Sequence, residues 1–575
     1  MIAVLGFDAA FLPLGGVRVR IFTIVLSLVL MTALADVSVG GIASADPVLE
    51  HDTDDPVLAA PAVTRPDTPH CTVTLADAFR SNAADGTSQF YQGTLTPPKA
   101  CAGPWAKVVM DQTVTVSGRQ YDRIGDLKIG DAEVWWGTTE EPSGEGNRPI
   151  TYHFDKDLTP YSALLRTPQP FRGGIENFTS DIYTGVYAQT VTLTYYRADR
   201  KHPAPDVADH VTGMGHADAT PAAPTVHFTA KDLPRNITRA QLEVTLEGHA
   251  CDEQWFDDVP DDVSAKYPAA GMCGHGPYRE ANFAIDGTAA GSAFTFPHIY
   301  SGGIVPQLWR PIVAIDTFSL HSETYDVTPF VGKLVDGGAH DLSFTVPDIG
   351  GEWTVVPTLL LYTDDHAART SGALTQDDVA AAPVRQTTVK DISGGVNATV
   401  TAKRHDVTAG YVDTSAGRVY TRVERTRDYR NSDDVTGGGF TQHVVQADSG
   451  QQTSTSTVDG RVRSADRHTW SYPLTTDATA NITDDQNLRI SGAAEMTKIL
   501  GDLTGDGRNW RPVRASREWL SASGVLARTN GVNTEADGKS QTLYTGPDDL
   551  GRPYLHYIAS EHGRITQNRE LPPRR

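Results

Sequence analysis

His249-Ala-Cys251 and, further on, Cys273-Gly-His275 form the densest group of metal-ligating side chains in the sequence. Two cysteines and two histidines are donors that a structural zinc uses. The spacing matches no familiar zinc motif, and the same cysteines can join each other. Cys71 and Cys101 form a second local pair. The default expectation is therefore two disulfides, Cys71–Cys101 and Cys251–Cys273, each inside its own domain. Four cysteines allow three connectivities, and spacing alone selects none. Proton transfer needs a carboxylate held beside the reacting group. Asp122 next to Arg123 is one candidate, although by itself such a pair reads as an exposed ion pair worth little to stability. Several other chemistries lack their signatures. There is no G-x-S-x-G nucleophile elbow and no H-E-x-x-H zinc helix. The run from Asp502 to Gly507 starts like a calcium loop, but its twelfth position is Val513, where a bidentate glutamate is required.

The elements that must position these residues are strands. The chain has 575 residues, too many for one core. Arg18 and Arg20, the apolar run from Ile21 to Leu34 and the small residues Ala43-Ser44-Ala45 read as an export signal over residues 1–45. A disordered linker is expected over 46–66, rich in Asp, Pro and Ala. A first unit follows over 67–200, in which Val114 and Val116 alternate with Thr113, Thr115 and Ser117. That period of two marks a sheet with one wet face. After a linker at 201–223, a second unit spans 224–365 and contains the clearest strand. There Ala240, Leu242, Val244 and Leu246 point one way, and Gln241, Glu243, Thr245 and Glu247 point the other. A linker at 366–384 leads to a third, β-rich domain over 385–575. The best helical candidate is Ala493–Leu500. The predicted class is all-β: two adjacent jelly-roll or β-sandwich domains plus a C-terminal β-rich domain. With a net charge of −22 and a pI near 5.2, the surface repels phosphate backbones, so nucleic acid is not an expected partner. The chain is expected to be secreted, monomeric and off the membrane once the signal is removed.

One set of motifs points further. Gly93-Thr-Leu-Thr-Pro-Pro98, Gly103-Pro-Trp-Ala-Lys-Val-Val109, Arg119-Gln-Tyr-Asp-Arg-Ile124 and Thr139-Glu-Glu-Pro142 occur in the first unit. Gly248-His249 with Asp252-Glu253-x-Trp255, Gly276-Pro-Tyr-Arg-Glu280, Gly302-Gly-Ile304, Leu308-Trp-Arg-Pro311 and Tyr325-Asp-Val-Thr-Pro-Phe330 occur in the second. In order and spacing, residues 88–365 resemble the peptide N-glycanase A family. The resemblance weakens through the last third of the chain. It implies a hydrolase that cleaves the amide between asparagine and the first N-acetylglucosamine of an N-glycan. Its partners would be N-glycosylated peptides and glycoproteins, and it would need no cofactor or metal. It also implies an active site between two adjacent jelly rolls.

The same resemblance assigns site residues. Asp122, expected on a strand, is the first catalytic carboxylate, with Arg123 beside it at the substrate. Glu253 is the second, with Asp252 as the alternative; its role would be to hold water or polarise the amide across the cleft. The family commonly has Gly-Asp where this chain has Ala250-Cys251. Glu141 could bind sugar hydroxyls or cap the turn before Pro142. His249, Trp255, Trp309 and Arg310 are further expected contacts of the substrate. Adjacent strand residues face opposite ways, so at most one of Trp135 and Trp136 can face the cleft. A non-catalytic carbohydrate-binding sandwich and an endo-acting glycosidase are the alternatives.

Overall fold

The computed structural model describes residues 56–82, 88–142, 148–484 and 486–571. The expected export signal, and the linker up to residue 55, lie outside the described residues. Among the described residues no helix is long and apolar enough to cross a membrane.

The alternation in the first unit builds a sandwich. One sheet runs in the order His70–Ser81, Val186–Arg197, Trp105–Ser117, Ile150–Asp157, all antiparallel. The facing sheet runs Phe90–Leu95, Gln169–Ile175, Ile124–Ile129, Ala132–Thr138. Val114, Val116, Val191, Leu193 and Tyr195 turn inward, as their spacing requires, and pack on Leu127, Val134 and Trp135 of the other sheet. Each such side chain contributes about 1.5–3 kcal/mol by leaving water. The Cys71–Cys101 disulfide ties the first strand to the turn at Lys99–Cys101.

The second sandwich pairs Ala217–Ala219, Glu352–Thr363, Ile237–His249 and Ser322–Asp326 in one sheet, with His210–Gly213 also on Glu352–Thr363. The other sheet is Thr225–Ala230, His340–Thr345, Ala281–Ile285, Thr288–Ala293. Ala240, Leu242, Val244 and Leu246 lie in its core. Residues 201–223 and 366–384 thus do more than link: His210–Gly213 and Ala217–Ala219 pair with Glu352–Thr363 in the second sandwich, and Ser371–Asp378 pairs with Gly395–Thr414. The first two are too short to display a period. The expected disorder of 46–66 is likewise corrected over residues 56–66, where Ala59 is buried in the core and Val57 bridges to Ile312.

The two sandwiches meet along the face that alternation marks as wet. Tyr161 Oη donates to Glu243 at 2.8 Å, and Leu320 N donates to Trp136 O at 2.9 Å. Phe318, from the second unit, is a core residue of the first and stacks on Tyr152 with ring centres 4.7 Å apart. A Cβ on Gly137 would sit 2.2 Å from Phe318 O, so only glycine allows this approach.

The C-terminal part is one 11-stranded antiparallel sheet. From Gly395–Thr414 to Arg564–Leu571 each strand pairs with the one before it. Its inner face places Tyr429, Trp470, Tyr472, Met496 and Leu520 in the core of the second sandwich. The helix expected at Ala493–Leu500 is instead part of the strand Asn487–Gly505. Its short apolar run suits both periods, and pairing on both sides fixes it as a strand, with Ala494, Met496 and Leu500 turned inward.

Candidate active site

Asp122 stands not on a strand but in the loop that precedes Ile124–Ile129. Its neighbours immobilise that loop. Gln120 Nε2 donates to Asn177 Oδ1 at 2.8 Å and to Gly185 O at 3.1 Å, and Gln120 N donates to Pro142 O at 3.1 Å. Arg123 N donates to Thr139 Oγ1 at 2.9 Å. The Arg123 guanidinium is buried, lies 3.6 Å from the centre of the Tyr121 ring and donates to Phe178 O at 2.6 Å. Arg123 therefore holds the loop of Phe178, with its guanidinium shielded from solvent beside Asp122.

Glu253 follows the strand Ile237–His249 through a 3-10 turn at Ala250–Asp252. Gly248 permits the turn, since a Cβ there would lie 2.1 Å from Asp252 O. Cys251 and Cys273 are disulfide-bonded, which removes both thiolates from any zinc set. Among the described residues no three His, Cys, Asp or Glu side chains converge as metal ligands. Asp252 is wholly buried. It accepts from Arg279 Nε at 2.8 Å and from the backbone N–H groups of Gly350 and Gly351 at 2.9 and 2.8 Å. With its oxygens so occupied it is a structural anchor, and Glu253 beside it is only half-buried. Ala250 has φ +55, in the left-handed region where a Cβ is strained by about 1–2 kcal/mol. This is the position where the family commonly has glycine. Ala250→Gly is expected to raise the denaturation midpoint by about 0.5–1 kcal/mol of stability, the strain relief outweighing the entropy of glycine; chemical denaturation checks it, and a lower midpoint would contradict the strain.

Four carboxylates from both sandwiches share one electrostatic environment. Burial raises Asp122 above the ordinary aspartate range, against the Arg123 and His249 charges that oppose it. Burial raises Glu253 to about 8, helped by the charges of Asp122 and Glu247. Glu141 rises to about 8 through burial and then Asp122, with Arg310 pulling the other way. Glu247 rises to about 8 through burial, although Trp136 and Tyr300 both hydrogen-bond to it. Like charges in a poorly hydrated site cannot all ionise at once, so most of these groups hold a proton at neutral pH. His249 is lowered by burial; its Nε2 lies 3.0 Å from Thr354 Oγ1 and 3.7 Å from Glu247 Oε2.

The expected sugar contacts divide. Trp309 is fully buried in the second core, and its Nε1 donates to Gly303 O at 2.8 Å. Trp255 is a core residue too. Both large rings are taken up by packing, so neither offers a face to a sugar, which corrects that expectation. Arg310 reaches the seam, where Nη2 donates to Glu141 O at 2.6 Å. Of the tryptophan pair, Trp135 is in the first core, and Trp136 turns to the seam, packing with Tyr300 and donating to Glu247. Glu247 and Tyr300 were not singled out from sequence. Glu247 carries the alternation of a wet face, and the only signal against that reading was the Gly248-His249 motif directly after it.

The family model described as Peptide N-acetyl-beta-D-glucosaminyl asparaginase amidase A matches residues 60–380. A relative from Prunus dulcis, "Peptide-N4-(N-acetyl-beta-glucosaminyl)asparagine amidase A", is 30% identical over 359 residues, 59% of this chain and 62% of that protein. The chain thus spans less than two thirds of the length of that relative. Among solved structures, PNGase F, "a glycosylasparaginase from Flavobacterium meningosepticum", aligns with 51% of this chain and 96% of its own at 12% identity and a TM-score of 0.34. PNGF-II aligns with 51% of this chain and 66% of its own, at 12% identity and a TM-score of 0.37. Since the family model covers more than half of the sequence, with Asp122, Glu141, Glu247 and Glu253 all inside the match, the chain belongs to the peptide N-acetyl-beta-D-glucosaminyl asparaginase amidase A family.

Proposed function

We propose that this protein is a glycoprotein amidase that hydrolyses the bond between asparagine and the first N-acetylglucosamine, with Asp122 and Glu253 as its catalytic pair. The observation that carries the reading is the seam itself, where Arg310 of the second sandwich donates to Glu141 O and Trp136 of the first donates to Glu247, and where the Asp122 charge helps to raise Glu253 across it. Family membership supplies the reaction. Asp122 takes a proton from a water whose oxygen adds to the amide carbon. Glu253, protonated below about 8, hydrogen-bonds the amide and gives its proton to the leaving nitrogen as the C–N bond breaks. The peptide keeps an aspartate, and the glycan departs as a glycosylamine that then loses ammonia. Glu141 and Glu247, also raised to about 8, stay neutral beside the pair and spare Asp122 further like charge. The substrates are N-glycosylated peptides and glycoproteins. Export to an oxidising compartment fits both disulfides.

The test is a glycopeptide assay read by mass spectrometry. Asparagine should become aspartate and the glycan should be released whole. A peptide that keeps one N-acetylglucosamine would instead mark an endoglycosidase, and binding without turnover would mark a carbohydrate-binding protein.

The pH profile follows from the same groups. Activity should fall at acid pH as Asp122 gains a proton and fall again as pH rises through about 8, where Glu253 loses its own. Stability has the matching sign. Folding raises the pKa of Glu141, Glu247 and Glu253, so their contribution is complete below the ordinary glutamate range, about 4.3, and is lost as pH rises through about 8. A profile with no basic limb for kcat would remove Glu253 from its role as acid.

A further inference from the structure

The segment that carries Glu253 pairs with no strand over residues 250–280, and side chains from a part of the chain beyond the family match at 60–380 bond to it. Three neighbouring strands of the C-terminal sheet, Gly417–Thr436, Thr441–Val458 and Arg461–Asp484, reach into it with polar side chains. From the first, Asn431 Nδ2 donates to Phe256 O at 2.9 Å. From the second, Gln442 Nε2 donates to Asp257 O at 2.9 Å and to Asp433 Oδ2 at 2.9 Å. From the third, Thr476 Oγ1 donates to Asp257 Oδ1 at 3.1 Å. A second grip lies on the returning limb, where Arg427 Nη1 donates to Arg279 O at 3.1 Å, and it is Arg279 that holds Asp252. The carbonyls of Phe256 and Asp257 thus have partners fixed in a broad sheet, while Glu253 lies only a turn away.

We propose that Asn431 and Gln442 are positioning residues for Glu253, and that the C-terminal sheet is the template that sets the geometry of this half of the active site. This rests on the reading of Glu253 as catalytic. Asn431 is almost wholly buried and its amide is also 3.2 Å from Gln446 Oε1, so its donor is aimed and cannot swing to water. Removing a donor leaves a carbonyl that must find another partner, and the turn shifts to provide one. A shift of about 1 Å at a catalytic group costs up to about a hundredfold in rate without weakening substrate affinity in proportion.

The experiment compares Asn431→Asp and Gln442→Ala with wild type and with Ser540→Ala, all in the full chain. Ser540 is also buried in the same sheet, and its hydroxyl pairs with that of Ser560, away from the Glu253 segment. Expected is a fall in kcat of about tenfold or more with KM little changed, and a basic limb displaced to lower pH as Glu253 meets more water. Ser540→Ala should keep both kcat and the limb. Because Gln442 is only half-buried, Gln442→Ala decides the matter if Asn431→Asp fails to fold. The proposal is overturned if Gln442→Ala keeps the wild-type kcat and pH profile, or if Ser540→Ala moves both equally. Glu253→Gln separates the two levels: an active Glu253→Gln enzyme would overturn the role of Glu253 itself, whereas an inactive one beside a normal Gln442→Ala enzyme would overturn only the role of the sheet.

Discussion

Asp122→Asn should abolish nearly all turnover, with kcat reduced about 10²–10⁴-fold, the range that one positioned acid or base supplies. The substitution keeps the size and shape of the side chain and the bonds that hold its loop, because Gln120 and Arg123 make those bonds. What it removes is a group that can take a proton. It also removes a charge that raises Glu141, Glu247 and Glu253. The remaining activity should therefore end at a lower pH on the basic side than in wild type. Calorimetric titration with a glycopeptide should show affinity close to wild type, which separates lost chemistry from lost binding. Near-normal turnover by this variant would sink the assignment.

The second large effect is on stability. Arg279→Ala should cost about 3–5 kcal/mol, as breaking a buried ion pair does by stranding its partner. Arg279 is 2% exposed and sits between two aspartates, Asp252 and Asp258, donating to each. Burial raises Asp258 to about 9, the Arg279 charge opposing, so at neutral pH Asp258 accepts the Arg279 Nη2 bond as a neutral carboxyl. Without the guanidinium, Asp252 keeps two backbone donors but loses its counter-charge in a site closed to water. Chemical denaturation measures the loss, and adding Asp252→Asn and Asp258→Asn to the variant should recover part of it. An unchanged midpoint would mean that the cluster relaxes into solvent, contrary to its burial.

Much of this architecture could be read from the order of residues. Ala240, Leu242, Val244 and Leu246 alternate with polar neighbours, and a period of two can serve only a sheet with two unlike faces. What alternation does not reveal is what covers the polar face. Glu247 belongs to the wet set by spacing, yet the first sandwich seals it under Trp136. That partner lies 111 residues away, and no local pattern encodes it. The same limit explains Trp309 and Trp255: their place in a conspicuous motif is compatible with a binding surface or with a core, and packing chose the core. Ala493–Leu500 failed for a different reason, since eight residues with both spacings satisfied leave the choice to neighbouring strands. Asp122, Glu141 and Glu253 stand out in the sequence only through family resemblance, and what distinguishes Asp252 from Glu253 is its set of hydrogen bonds.

The seam between the sandwiches has a consequence for how the protein comes into being. Each strand from Gly395 onward finds its partner next to it in the chain, so that sheet can grow by successive hairpins. The carboxylate cluster has no such local route. It needs both sandwiches in contact, with Phe318 in the neighbouring core. An unfinished chain, or one half released by a protease, would carry these carboxylates without the partner sandwich that buries them.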